Sequence, residues 1–240
     1  SRLRQITGAD PSRFAGLVAH RSVVPAGQRE ATIAVSDAVT AFLSPRFHLV
    51  GYPVRGGDLI NFVAIARAPE IPAGWGARAD TAPLFSALEK AAPDLIRLVK
   101  SGPTWTAWPI HDMSSEGKWI HPGGLALIGD AAHAMTPEAA QGAAMAIEDA
   151  ALLAELAACE NDTRMLLETF ERLRRPRVSR VVRRGRFNRF VWHARGPVAL
   201  ARNLALRLRR EDSLAAGLDW LYGEDVLQDI ALPQGEGAAR

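Results

Sequence analysis

The chain has 240 residues, enough to bury one large core or two modest ones, and its composition (48% hydrophobic, 23% charged) excludes low-complexity and fibrous classes. No apolar run reaches bilayer-spanning length, the opening SRLRQITGADPSRF has no signal-peptide core, and the lone Cys159 excludes an internal disulfide and fits a reducing, cytoplasmic setting. The net charge of +3 hides a basic block from Arg164 to Arg210 whose only acids are Glu168 and Glu171; without aromatic interleaving or a docking motif it reads as solvated or internally paired helix faces, not a nucleic-acid site.

Residues 1–115 read as a β-rich domain. Phe14–Ala19 and Ala31–Val35 are candidate strands separated by Pro25-Ala26-Gly27. Residues 47–54 and 59–65 flank Arg55-Gly56-Gly57-Asp58, a hairpin signal, and Pro53 suits an edge or bulge because it has no N–H to donate. Ile71–Gly76 reads as loop. Helices start at Thr81-Ala82-Pro83 and Pro93-Asp94, and Trp105–Ile110 is a further strand.

Residues 116–160 hold the most informative stretch. Leu125–Ile128 reads as a short, fully buried strand that ends at Gly129-Asp130; a loop with Pro137 follows, and a small-residue helix runs from Gly142 to about Ala158. Residues 161–240 read as a helical region. Asn161-Asp162-Thr163 caps a helix from Met165 to Arg175, and Pro176 breaks or kinks it. A basic helix then continues towards Arg195, another follows Gly196-Pro197, a short element covers Leu218–Gly223, and the tail Gln234–Arg240 is polar and Gly-rich.

Strand end, acid, loop and helix start together are how α/β proteins build ligand sites. A carboxylate such as Asp130 accepts hydrogen bonds from sugar or polyol hydroxyls and repels phosphate. The start of the helix at Gly142, Ala143 and Ala144 presents unpaired N–H groups and no bulk, so a flat ligand that gains negative charge is stabilised there. His133 reads as a structural, hydrogen-bonded histidine. No second ligand stands at metal-site spacing, and no G-x-S-x-G elbow supports a hydrolase.

GDAAHAMTPEAAQGAAMAIEDA resembles the second FAD-binding motif of the single-component FAD-dependent aromatic hydroxylases, the salicylate and para-hydroxybenzoate hydroxylase group. FAGLVAHRSVVPA, HLVGYPVRGGDLINFVAIA and LDWLYG resemble its salicylate and 6-hydroxynicotinate branch in order and spacing. The resemblance implies an α/β fold of α+β type: an incomplete para-hydroxybenzoate-hydroxylase-like FAD-binding fold with a mostly antiparallel substrate-domain sheet and C-terminal helices. It implies an FAD-dependent monooxygenase that uses NADH or NADPH and O2 on a small aromatic substrate. Gly129, Asp130, Gln141, Gly142, Ala143 and Ala144 would be cofactor-binding, with Asp130 on the ribityl chain and the helix amides at the N1/O2 edge of the flavin ring. Pro137 would lie beside the substrate. Tyr52 would meet a phenol or carboxylate, or be an ordinary sheet tyrosine; Arg55 would hold a carboxylate or, as preferred here, the turn.

Three departures stand out. No strand–G-x-G-x-x-G–helix unit is present, and Ser1-Arg2-Leu3-Arg4 resembles the trailing S-x-x-R of the family's D-G-x-x-S-x-x-R motif without its Asp-Gly pair. The expectation is the C-terminal part of a protein of roughly 400 residues, partnered by an N-terminal FAD-binding portion. Glu138 stands where relatives often carry His or an aromatic, altering the charge near the substrate, and His20-Arg21 replaces the usual Trp-Arg. A non-catalytic fragment or interaction module is the alternative from another class, and epoxidation or oxidation by flavin is a third reading on the same fold.

Overall fold

Along Leu59–Arg67 the side chains alternate between two apolar faces. Ile60, Phe62 and Ala64 join a core with Leu84, Leu88, Leu95 and Val99, while Val63 and Ile65 pack with Leu17, Trp108 and Ile110. A strand buried on both faces must lie inside a sheet, and it does. The computed structural model describes residues 1–28, 38–71, 80–102, 104–114, 116–209, 213 and 216–228. The strands are β1 (Arg13–Pro25), β2 (Thr40–Leu43), β3 (Phe47–Val54), β4 (Leu59–Arg67), β5 (Thr106–Asp112), β6 (Ile120–His121) and β7 (Leu125–Ala126). The helices are α1 (Arg2–Ile6), α2 (Ala82–Leu88), α3 (Pro93–Lys100), α4 (Asp130–His133), α5 (Gly142–Cys159), α6 (Thr163–Trp192), α7 (Gly196–Leu208) and α8 (Asp219–Tyr222).

Two compact units emerge: residues 14–111 with 188–205, and residues 1–13 with 112–187 and 206–240. Both are discontinuous in sequence. The first unit is a five-stranded sheet in the order β2-β3-β4-β1-β5, in which β2–β3, β3–β4 and β4–β1 are antiparallel. The expected hairpin is β3–β4, turned by Arg55–Gly57 with Gly56 at φ 65°, so Arg55 belongs to the turn itself. Pro53 pairs with Ile60, whereas β2 reaches along β3 only to Gly51, so the missing N–H costs no ladder bond on that side. The expected Phe14–Ala19 strand is part of the longer β1, and β2 was not anticipated. The reading of Ala31–Val35 and the Gln234–Arg240 tail lies outside the described residues, as does the loop beyond Ile71.

His48, on β3, is 1% exposed and stands edge-on to Trp192 and His193. His193 Nδ1–H donates to Ser44 O (2.9 Å), which leaves its Nε2 to accept from His48 Nδ1–H (3.1 Å). Burial, then His193 and Arg189, push the His48 pKa down from 6.5 to about 3. A lowered folded-state value means that the unfolded chain binds the extra proton, so the stabilisation is complete above pH 6.5 and fades as pH falls towards 3. His20, lowered by burial against weaker backbone hydrogen bonds that raise it, acts in the same direction. We expect the sheet unit to lose about 2 kcal/mol between pH 7.5 and pH 5 through His48 alone. Urea midpoints across that range test this; a flat profile contradicts it.

In the second unit, Met145, Asp149, Leu152 and Leu156 form the buried stripe of α5, which packs with Trp119, Leu127, Phe170, Val178 and Leu221. Asp162 caps α6 through Oδ1, which accepts from the N–H groups of Arg164 and Met165. Two expectations are corrected here, the first wholly and the second in part. Leu125–Ile128 is not a buried strand: only Leu125–Ala126 pairs, with Ile120–His121, and Ile128 is 37% exposed. A two-residue partner gives the rest of the run nothing to pair with, apart from Leu127 N–H to Trp119 O at 2.8 Å. Of the break or kink expected at Pro176, the break does not occur: α6 runs on to Trp192. The lost hydrogen bond is outweighed because Arg174 and Arg177, on either side, are locked into buried ion pairs.

Candidate functional site

The corner at Gly129-Asp130 is held open by backbone geometry. Gly129 has φ 54° and ψ −140°, a region that side chains exclude, and a Cβ there would lie 3.0 Å from that of Ala146 on α5. The N–H of Gly129 donates to Asp149 Oδ2 (2.9 Å), which also contacts His133 Nε2 (2.7 Å). The Nε of Arg174 donates to Asp149 Oδ1 (2.8 Å), and Nη1 reaches Glu148 Oε2 (2.6 Å). Glu148 in turn pairs with Arg177 Nη2 (3.1 Å), whose guanidinium also binds the carbonyls of Trp220 and Leu221. Burial works against ionising Asp149, but hydrogen bonds and charge from His133, Gly129 N–H and Arg174 prevail and hold its carboxyl below the usual range. From the other side, buried Arg4 donates to Ala131 O (2.8 Å), so the S-x-x-R arginine braces the same turn.

These supports leave Asp130 exposed at the first position of α4. A Cβ on Gly142 would stand 3.9 Å from Asp130 Oδ1, so the acid and the start of α5 share one opening. The first bond of α5 runs from Met145 N–H to Gln141 O (2.9 Å), which leaves the amides of Gly142, Ala143 and Ala144 without acceptors in the helix. Gly142 is partly exposed and Ala143 exposed, whereas the Gln141 side chain is buried. Pro137 begins a single 3-10 turn, Pro137–Ala139, and is exposed; Glu138 is 2% exposed and turned into the unit. Ala140 closes that turn in the left-handed region at φ 53°. Tyr52 belongs to the sheet unit, opposite Asn61 on the face away from α2 and α3. Among the described residues, no cluster of His, Cys, Asp or Glu could hold a metal, and no helix is long and apolar enough to cross a membrane.

The residues present therefore suit a ligand with a hydroxylated chain for Asp130 and an electron-rich planar edge for the α5 amides. The family described as "FAD binding domain" matches residues 22–185, well over half of the sequence. The chain belongs to that family. Its relatives are FAD-dependent aromatic hydroxylases. It is 32% identical to a 3-hydroxybenzoate 6-hydroxylase of Klebsiella oxytoca over 92% of this chain and 55% of that protein. It is 33% identical to 3-hydroxybenzoate 6-hydroxylase 2 of Aquipseudomonas alcaligenes, over 93% of this chain and 70% of that protein. A salicylate hydroxylase solved with its substrate superposes with a TM-score of 0.77 at 26% identity, covering 98% of this chain and 61% of that one. The mixed helix and antiparallel-sheet fold is thus that of these flavoproteins, and FAD is the cofactor of the family. The chain spans about half the length of the curated relatives it matches first: 55%, 54% and 58%.

Sequence reasoning recognised the family stretch but gave Asp149 and Arg174 no role. A signal was present: Asp149 occupies the fourth residue after Met145 and the third before Leu152, inside an otherwise apolar stripe, where an acid requires a buried partner. His133 is the structural histidine expected.

Proposed function

We propose that this chain is the C-terminal portion of a monooxygenase that hydroxylates a small aromatic substrate, phenolic or carboxylate-bearing as in the hydroxybenzoate and salicylate hydroxylases. The overall reaction is ArH + NAD(P)H + O2 + H+ → ArOH + NAD(P)+ + H2O. FAD, when bound, supplies the hydride acceptance and oxygen activation. The carboxylate of Asp130 accepts hydrogen bonds from ribityl hydroxyls, with Gly129 setting its direction. The amides of Gly142, Ala143 and Ala144, at the positive end of α5, stabilise the negative charge of reduced flavin at its N1/O2 edge. Gln141 supplies the backbone carbonyl that starts the helix.

In this reading residues 1–115 carry the substrate-binding sheet, 116–160 the second FAD motif and 161–240 the C-terminal helical region. Pro137 presents a rigid apolar surface to the ring, and Tyr52 contacts the phenol or carboxylate. Glu138, turned into the unit beside Pro137, is the neighbouring loop position through which substrate choice would be tuned. The phosphate-cradling loop for the other half of FAD belongs to the N-terminal portion of the whole protein. The observation that carries the proposal is the shared opening of Asp130 and the α5 N-terminus within a stretch matched by the FAD family. In the intact protein, Asp130→Ala is expected to weaken FAD binding about 10- to 100-fold, the value of one to two charge-assisted hydrogen bonds. Because Asp130 is exposed, the apoprotein should unfold as before. Full flavin occupancy of the variant after gel filtration would remove Asp130 from the site.

A further inference from the structure

His133 is 4% exposed, and among the described residues its ring makes one hydrogen bond, from Nε2 to Asp149 Oδ2 at 2.7 Å. Asp149, its carboxyl held below the usual range, is ionised at neutral pH and can only accept, so the proton of that bond sits on Nε2. The other ring nitrogen, Nδ1, is shielded from solvent and has no hydrogen-bond partner among the described residues. Around it the interior is apolar: the Trp119 ring lies 5.2 Å away between centroids, and Ala132 and Met145 belong to the same core. A buried nitrogen left unpaired costs stability, and a leucine would fill much of the same space without that cost. Packing alone therefore does not account for a histidine here; the bond to Asp149 does.

That bond closes a clamp. Asp130 stands at the start of α4, a single turn in which the N–H groups of Ala132 and His133 both reach Gly129 O at 2.9 Å. A turn of that length does not hold its own shape. Asp149 Oδ2 fastens both of its ends, taking the Gly129 N–H (2.9 Å) at the start and the His133 ring at the finish. Arg174 Nε, on Oδ1 at 2.8 Å, keeps the carboxylate from rotating. We infer that His133 is a positioning residue for the cofactor: through Asp149 it fixes the turn that directs Asp130 at the ribityl hydroxyls. This rests on the flavin reading of Asp130 given above and adds to it a buried residue that acts at one remove.

The test is a double-mutant cycle on the intact protein stripped of flavin, with FAD affinity read by quenching of flavin fluorescence and folding read separately by urea midpoint. His133→Leu should weaken FAD binding about tenfold, within the range of coupling inside one hydrogen-bond network. In the Asp130→Ala background the same change should cost less than about twofold, because the acid it positions is gone. His133→Gln, whose side-chain amide can still donate to Asp149, should return the affinity to within about threefold of wild type. His133→Met, apolar and more adaptable in a packed interior, repeats the comparison if the leucine variant does not fold. Wild-type affinity in the apolar variant, an equal loss in both backgrounds, or no rescue by glutamine overturns the inference while leaving Asp130 in its place. If Asp130→Ala by itself leaves FAD affinity unchanged, the flavin reading of the acid fails, and this inference fails with it.

Discussion

Asp149→Ala is expected to destabilise the helical unit by about 3 kcal/mol, the lower end of what breaking a buried ion pair costs. Asp149 is 0% exposed and Arg174 is 1% exposed. Removing the acid strands the Arg174 Nε, the His133 Nε2 and the Gly129 N–H in a dry interior. Glu148 still holds Arg174 Nη1, which keeps the loss from reaching the top of the range. Adding Arg174→Met removes the stranded charge and should restore part of the loss, a non-additivity that a merely crowded site would not show. Acid has the same effect as the mutation. The carboxyl of Asp149 is held below the usual range, so its contribution is present above that range and is lost as pH falls beneath it. The sheet unit, whose His48 contribution starts to fade at pH 6.5, should therefore loosen at higher pH than the helical unit. Urea midpoints for wild type and both variants test this, and an Asp149→Ala midpoint equal to wild type contradicts it.

Gly129→Ala carries the second large effect, about 2–3 kcal/mol from backbone strain with a contact that must give way. At φ 54° and ψ −140° an L side chain is strained whatever the space, and the new Cβ would sit 3.0 Å from Ala146 Cβ. Relief requires the corner to swing, and Asp130 swings with it, so flavin affinity should fall together with stability. Gly142→Ala is the informative contrast. No unusual φ constrains it, and its Cβ meets only Asp130 Oδ1 at 3.9 Å, so the fold should tolerate the methyl while FAD binding weakens. Denaturation midpoints and flavin content, measured on both variants, should split in this way; equal stability losses would contradict the assignment of strain to Gly129.

Local signals made much of this fold legible. The Gly56-Gly57 turn, Pro83 and Pro93 at helix starts, the Asp162 cap and the Gly142 helix start all act within a few residues of themselves. What was illegible depends on partners distant in sequence. β2 is four residues long with no fully buried position, so it carries too little periodicity to notice. The apolar run at Leu125–Ile128 has a strand's composition, but its length was decided by the two-residue β6 beside it. Pro176 obeys its propensity only until Arg174 and Arg177 anchor both flanks to α5. Of the candidate site, Asp130 and Gly142 could be read as a pair because the strand-end acid and the helix start carry their chemistry locally. The brace behind them could not, because Arg4 and Arg174 lie 127 and 25 residues from their partners.

The most direct test of the flavin-hydroxylase account is made on the intact protein as purified, without added cofactor. Flavin absorbance near stoichiometry is expected, together with NAD(P)H consumption stimulated by a hydroxybenzoate or salicylate and one hydroxylated product formed per NAD(P)H oxidised in the coupled case. A colourless protein that takes up no added FAD, or aromatic-stimulated NAD(P)H oxidation that yields only hydrogen peroxide with every aromatic acid tried, would contradict it.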